Sequence, residues 1–240
     1  MANLQEINML TPWDERMLSV VDLIKLDTIP LELAAYLING MRNGASILIG
    51  ALPSRIGKTT MMGALLGVIP SLDRIVTIED VSMIPKLTSG TRDNPKTYVI
   101  HEVSRRSGWG PYLGGPPVVK VTNLVGAYTR LATNLHADSI DMVKTTFHRF
   151  GSQEAIGVFN FIIFLVYNDY NRVRVVDEVW EFDTPNRAFK LVYSNVDGFS
   201  PDVRYKSSHQ KWKMFLSQCL SQDIYSIEEV AYALRDYTKE

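Results

Sequence analysis

Residues 46–60 read SILIGALPSRIGKTT, and no other stretch limits the fold of this chain so tightly. A short apolar run (Ile47, Leu48, Ile49) meets a Pro/Ser/Gly turn, then Gly57, Lys58, Thr59 and Thr60, then a helical run from Met61 to Leu66. Strand, loop and helix in that order are the grammar of a phosphate-binding loop. Backbone N–H groups and the positive end of the helix would hold the phosphates. Pro53, Ser54, Arg55, Ile56, Gly57, Lys58, Thr59 and Thr60 would form the cradle. Within it Lys58 would reach the terminal phosphates and the Thr59 hydroxyl would ligate Mg2+. The strict pattern G-x-x-x-x-G-K-S/T asks for glycine five residues before Gly57, where this chain has Leu52. Leucine takes that turn only with a negative φ, so the loop is expected to differ in shape from the usual one. The plain alternative is an ordinary strand-to-helix turn that contains Gly-Lys-Thr-Thr.

The rest of the chain fits one sizeable α/β domain. Its 240 residues suffice for that, and 46% apolar with 21% charged residues is ordinary for a globular protein. A net charge of −1 gives no basic field to attract nucleic acid. Cys219 is the single cysteine, which leaves no intramolecular disulfide. No run of 18 uncharged apolar residues occurs, and the first residues, MANLQE, lack the basic and apolar parts of a signal peptide.

Residues 1–45 are expected to hold helices that lead into the core, residues 46–200 the core itself, and residues 201–240 a helical tail. Two amphipathic helices are expected in residues 12–41, with apolar stripes at Leu18, Val21, Leu23, Ile24 and at Leu31, Leu33, Ala34, Leu37, Ile38. Strands are expected at 74–80 and 97–103, a Gly/Pro-rich loop at 107–117, and either strand or helix at 118–131. A helix through Met142, Val143, Phe147 and Phe150 comes next, then a hairpin of 159–167 with 173–182. The tail, including Trp212, Phe215 and Leu216, is helical, and Ser226 with Glu229 forms a capping-box pattern. Strands alternating with helices, then a hairpin, predict a mostly parallel sheet with an antiparallel edge. In such a sheet ligands bind at the carboxyl ends of strands. The phosphate loop, Glu79 with Asp80, Glu102 and His136 all fall at such ends. Glu102 suits an acid that orients or deprotonates water, or holds Mg2+ through water; Glu79 would assist, and His136 would sense the terminal phosphate. Arg130 and Arg149 are further candidates for stabilising charge.

The order of these elements resembles the ATPase domain of the secretion-superfamily ATPases, which serve type II and type IV secretion, type IV pili and archaeal filaments. The resemblance runs from about Leu18 to Phe182. The aspartate box, written R-I-V-T-I-E-D in the family, is matched by residues 74–80, RIVTIED. The Walker B element P-D-x-I-I-V-G-E-V-R is echoed by residues 95–104, PKTYVIHEVS, which places the catalytic glutamate at Glu102. The histidine box S-T-x-H-A-x-S is echoed by residues 133–139, TNLHADS. Residues 174–181, RVVDEVWE, resemble the hairpin that closes the family's sheet. The resemblance implies a RecA-like P-loop NTPase core and a Mg2+-dependent ATPase. It also implies a homo-hexameric ring on an integral membrane platform protein, at the inner face of the cell membrane in the cytoplasm.

Departures set a second expectation beside the first. Arg55 and Ile56 alter the phosphate loop, His101 stands for the Walker B glycine, and Ser104 stands for its arginine. Some forty residues precede the P-loop strand where the family carries a clamp domain that supplies arginines, so this chain alone is expected to hydrolyse slowly. A non-hydrolysing scaffold subunit is therefore the alternative function. A DNA-moving motor is the third, with residues 120–130 as its basic segment and the near-neutral charge against it.

Overall fold

The computed structural model of the chain describes residues 2–11, 16–52, 54–104, 112–169, 172–203 and 207–239. Three helices lead in: α1 (Ala2–Asn8), α2 (Val20–Lys25) and α3 (Leu31–Arg42). Ser19 caps α2 by accepting from the Val21 and Asp22 N–H groups, while Asp22 answers with its carboxylate on the Ser19 N–H. That reciprocal box satisfies donors a six-residue helix would otherwise leave bare. α1 goes beyond the expected helices, because only Leu4 and Ile7 mark its inner side; tertiary packing of the buried Ile7 holds it.

The core continues with β1 (Ile47–Gly50), α4 (Lys58–Leu66), β2 (Arg74–Thr77), β3 (Lys96–Val103), β4 (Tyr112–Leu113), α5 (Pro116–Thr122), β5 (Thr129–Leu135) and α6 (Ile140–Arg149). After it come β6 (Phe161–Asn168), β7 (Val173–Asp183), β8 (Ala188–Ser194), β9 (Gly198–Phe199), α7 (Ser207–Ser221) and α8 (Ile227–Thr238). Among the described residues the strands form one nine-stranded sheet in the order β2-β3-β5-β1-β6-β7-β8-β9, with β4 on β3. β1 to β6 are mutually parallel, and β7, β8 and β9 continue as an antiparallel meander.

The sheet is mostly parallel with an antiparallel edge, as the pattern predicts, but the edge is wider than one hairpin. Its extension rests on the alternation of Phe189, Leu191 and Tyr193 in β8, of which Tyr193 is buried. The ambiguous stretch 118–131 resolves into both elements. Pro116 and Pro117 start α5 from inside the expected loop, where their missing N–H groups cost nothing, and Thr129 then starts β5. β2 ends at Thr77, short of the expected strand end, because Asp80 turns its carboxylate onto the Ser82 N–H and caps a 3-10 turn at Val81–Lys86.

Both faces of the sheet are covered. α1 to α4, α7 and α8 bury one apolar cluster, with Leu33, Leu37, Met62, Phe215 and Leu216 at its centre. α5 and α6 cover the other face, where Phe147 meets Phe150 and Phe159 edge-on at 5.7 and 5.8 Å. Each such buried ring contributes about 2–3 kcal/mol by area alone. The tail helix α7 packs on α3 of the same chain through Trp212, Phe215 and Leu216. Among the described residues no helix is long and apolar enough to cross a membrane.

Candidate functional site: a cleft at the carboxyl edge of the sheet

β1, β3 and β5 all end at the same edge, and each gives way there to polar residues. At the end of β1, a Cβ on Gly50 would lie 2.7 Å from the Ala137 carbonyl oxygen and 2.6 Å from the Phe164 ring. Only glycine passes that crossing. Beyond it Leu52 keeps its φ out of the left-handed region. The chain reverses instead at Arg55 (φ 61°) and Gly57 (φ 97°). Arg55, rather than Leu52, bears the conformation an L side chain dislikes. Ile56, 4% exposed, fastens the loop to the core between those two residues.

Lys58 opens α4 and is itself buried, with Nζ 3.6 Å from Glu102 Oε2 at the end of β3. That separation makes an ion pair but is too long for a hydrogen bond. Burial pushes the Lys58 ammonium below its ordinary pKa, and the Glu102 charge only partly restores it. The other oxygen of Glu102 lies 3.1 Å from His136 Nε2, and His136 Nδ1 lies 3.0 Å from the Leu52 carbonyl oxygen. Both ring nitrogens thus face oxygens, in a chain from Leu52 through His136 to Glu102.

A cleft of about 670 Å3 opens above these groups. Ser54, Arg55, Ile56, Gly57, Lys58, Thr59, Thr60, Glu102 and His136 all line it. Pro53 lies outside the described residues. Glu79 is exposed beyond the end of β2, its N–H directed at Met83 Sδ, and it is not among the residues lining the cleft. Arg130 sits at the amino end of β5, away from the cleft, in a buried ion pair with Asp73 at 2.9 Å. Arg149 is exposed at the end of α6.

Further residues shape the cleft that motif spacing does not single out. Arg174 reaches it because Tyr167 and Arg174 face each other across β6 and β7, a register no local pattern reveals. His101 and Tyr112 line the β3 side with their rings edge to face at 6.3 Å. Asn134, fully buried on β5, donates through Nδ2 to the His101 carbonyl at 2.7 Å and to the Thr59 hydroxyl at 3.3 Å. His101 and Asn134 do carry a signal, since both stand inside the Walker B and histidine-box stretches.

The residues present fit a nucleotide and its cation. The start of α4 has no side-chain cap, which leaves its first N–H groups turned toward the loop. Asn134 Oδ1 is a buried acceptor with no partner among the described residues, next to the hydroxyl that the P-loop pattern assigns to Mg2+. Other hollows, about 490 Å3 beside Tyr36 and about 1010 Å3 beside Phe182, include no residue of the phosphate loop.

Neither a protein-family model nor a curated protein matches the chain. Among solved structures it is similar to the VirB11 ATPase of the Brucella suis type IV secretion system, determined in complex with sulphate. The identity is 18% and the TM-score 0.46, over 70% of this chain and 55% of that one. It is also similar to the Legionella pneumophila ATPase DotB, at 12% identity and a TM-score of 0.39, over 78% of this chain and 56% of that one. The chain spans little more than half the length of either protein. Both of those proteins are ATPases, and the first belongs to a type IV secretion system.

Proposed function

We propose that this chain is an ATP-binding and hydrolysing subunit of a secretion, pilus or filament assembly machine, with a RecA-like core. The observation that carries the reading is the convergence of Lys58, Glu102 and His136, from three separate motifs, on one cleft at an uncapped helix start. The strand order supports the core assignment, because β5 lies between β1 and β3 and brings His136 between the phosphate loop and Glu102. A homo-hexameric ring on an integral membrane platform, at the cytoplasmic face of the membrane, is the assembly that the motif resemblance supports.

In this reading the Lys58 ammonium exchanges Glu102 for the terminal phosphates. Once the ammonium has moved away, a Glu102 oxygen is available to orient a water and accept its proton, and His136 holds that carboxylate in place. Thr59 directly and Glu102 through water would hold Mg2+, which neutralises charge on the outer phosphates when bound. Glu79 stands one strand away, outside the cleft lining, and takes no step in this reading.

The test is titration of the purified chain with a fluorescent ATP analogue and Mg2+, with Lys58→Ala as control, followed by turnover of Glu102→Gln. Binding abolished by Lys58→Ala, with turnover lost and binding kept in Glu102→Gln, is the expected result. No binding at roughly millimolar nucleotide would leave the fold as a scaffold rather than a motor.

A further inference from the structure

Two buried polar atoms behind the phosphate loop, Asn134 Oδ1 and His101 Nδ1, have no hydrogen-bond partner among the described residues. One residue links them. The bond from Asn134 Nδ2 to the His101 carbonyl fixes which end of the amide is nitrogen, because a carbonyl oxygen only accepts. The remaining hydrogen of the amide reaches the Thr59 hydroxyl, and Oδ1 is left without a partner among the described residues. An unpaired acceptor sealed from solvent costs free energy, and native folds keep few of them without a use. These are also positions where the motifs depart from their family forms. His101 replaces the Walker B glycine, and Asn134 stands at the threonine of the histidine box.

We propose that Asn134 is a positioning residue for a Mg2+–nucleotide complex: its amide nitrogen orients the Thr59 hydroxyl, and its oxygen accepts from a water on the cation. The inference rests on the nucleotide-binding reading above. Mg2+ keeps several of its waters, and bound water donates outward, so an outer shell needs acceptors rather than cations. Buried Asn134 Oδ1 is such an acceptor, and the Thr59 hydroxyl bonded to the same amide is the metal ligand it would support.

The test is calorimetric titration of the whole chain with ADP, in Mg2+ and in EDTA, together with Mg2+ titration at saturating ADP. Asn134→Leu keeps the side chain's size and removes the amide. It is expected to weaken Mg2+ binding about tenfold while leaving metal-free ADP binding unchanged. Asn134→Thr, which keeps a polar group there, is expected to retain most of the Mg2+ affinity, and it serves if the leucine variant does not fold. Unchanged Mg2+ affinity in Asn134→Leu would overturn the proposal. So would an equal loss of ADP affinity with and without the cation, or failure of both variants to fold, since either marks the amide as structural. Failure of the nucleotide-binding reading looks different: the parent chain itself would then bind no ADP, in Mg2+ or in EDTA.

Discussion

Charged groups are buried at both ends of the central strands, and the two ends treat them differently. At the amino end, Arg130 Nη1 lies 2.9 Å from Asp73 Oδ2, with side chains only 12% and 3% exposed, and Arg42 adds its charge from α3. At the carboxyl end, Lys58 stands 3.6 Å from a Glu102 that it shares with His136, whose ring is 44% exposed. The first pair is sealed and committed to itself, although its alignment satisfies no hydrogen bond at Asp73 Oδ2 or Arg130 Nη1. The second is loose, open to the cleft and has a cation free to change partners. A sealed pair holds the fold only while both members are present; a loose one is a poor fastener and a good receiver of ligand.

Removing one member of the sealed pair should have the largest effect. Arg130→Met leaves the Asp73 carboxylate buried without its nearest cation, and unfolding by urea should show a loss of about 3–5 kcal/mol. Nucleotide affinity below the melting range should stay unchanged, and a parallel loss of affinity would break the contrast between the two ends. Lys58→Met should do the reverse. Affinity should fall about a hundredfold or more in a fluorescent-nucleotide titration, about 3 kcal/mol. Stability should hold or rise by about 1 kcal/mol, because a buried cation at a binding site costs the fold.

The pH response sharpens the same contrast. The ammonium of Lys58 has its pKa lowered by burial, so the unfolded chain binds that proton more tightly than the folded one. Its cost is present in full below the lowered value and is relieved as pH rises toward the ordinary 10.5. The stability advantage of Lys58→Met over the parent should therefore shrink as pH rises through the lowered value toward 10.5, while nucleotide binding by the parent weakens over the same range. Asp73 runs the opposite way. Burial raises its carboxyl pKa more than Arg130 and Arg42 lower it, so its cost is relieved on acidification through the folded value toward 3.8. The smallest effect should come from His136→Ala. With that ring half exposed and bonded to an exposed Leu52, melting should shift by no more than about 0.5 kcal/mol, and turnover alone should fall, by about tenfold.

Much of this arrangement is legible in the residue order, and the limits have physical causes. β1, β3 and the β6–β7 hairpin arise from apolar runs bounded by turn residues. Lys58, Glu102 and His136 stand out because each belongs to a motif whose spacing survives without knowledge of the fold. α1 and β9 are short elements made by tertiary contact, and no local period announces them. Glu79 and Asp80 are adjacent in sequence, yet the Asp80 cap bends the chain at the end of β2, which spacing cannot foretell. Arg174 enters the cleft through strand pairing, and Asn134 acquires its contacts from two elements far apart in the chain. Long-range geometry is the common ingredient of everything that local patterns leave out.

Insertion of β5 between β1 and β3 also dictates when the site can exist during synthesis. Ser46, at the foot of β1, receives the Leu131 N–H from 85 residues downstream and bonds Asn160 from 114 residues downstream. Until those segments have emerged, the strand that carries the phosphate loop has both edges bare. Closing such distant parallel pairings is slow, and an unpaired apolar strand invites the wrong neighbour meanwhile. Residues 1–100 on their own should therefore be sticky rather than active, and the loop acquires its shape only late in the life of the nascent chain.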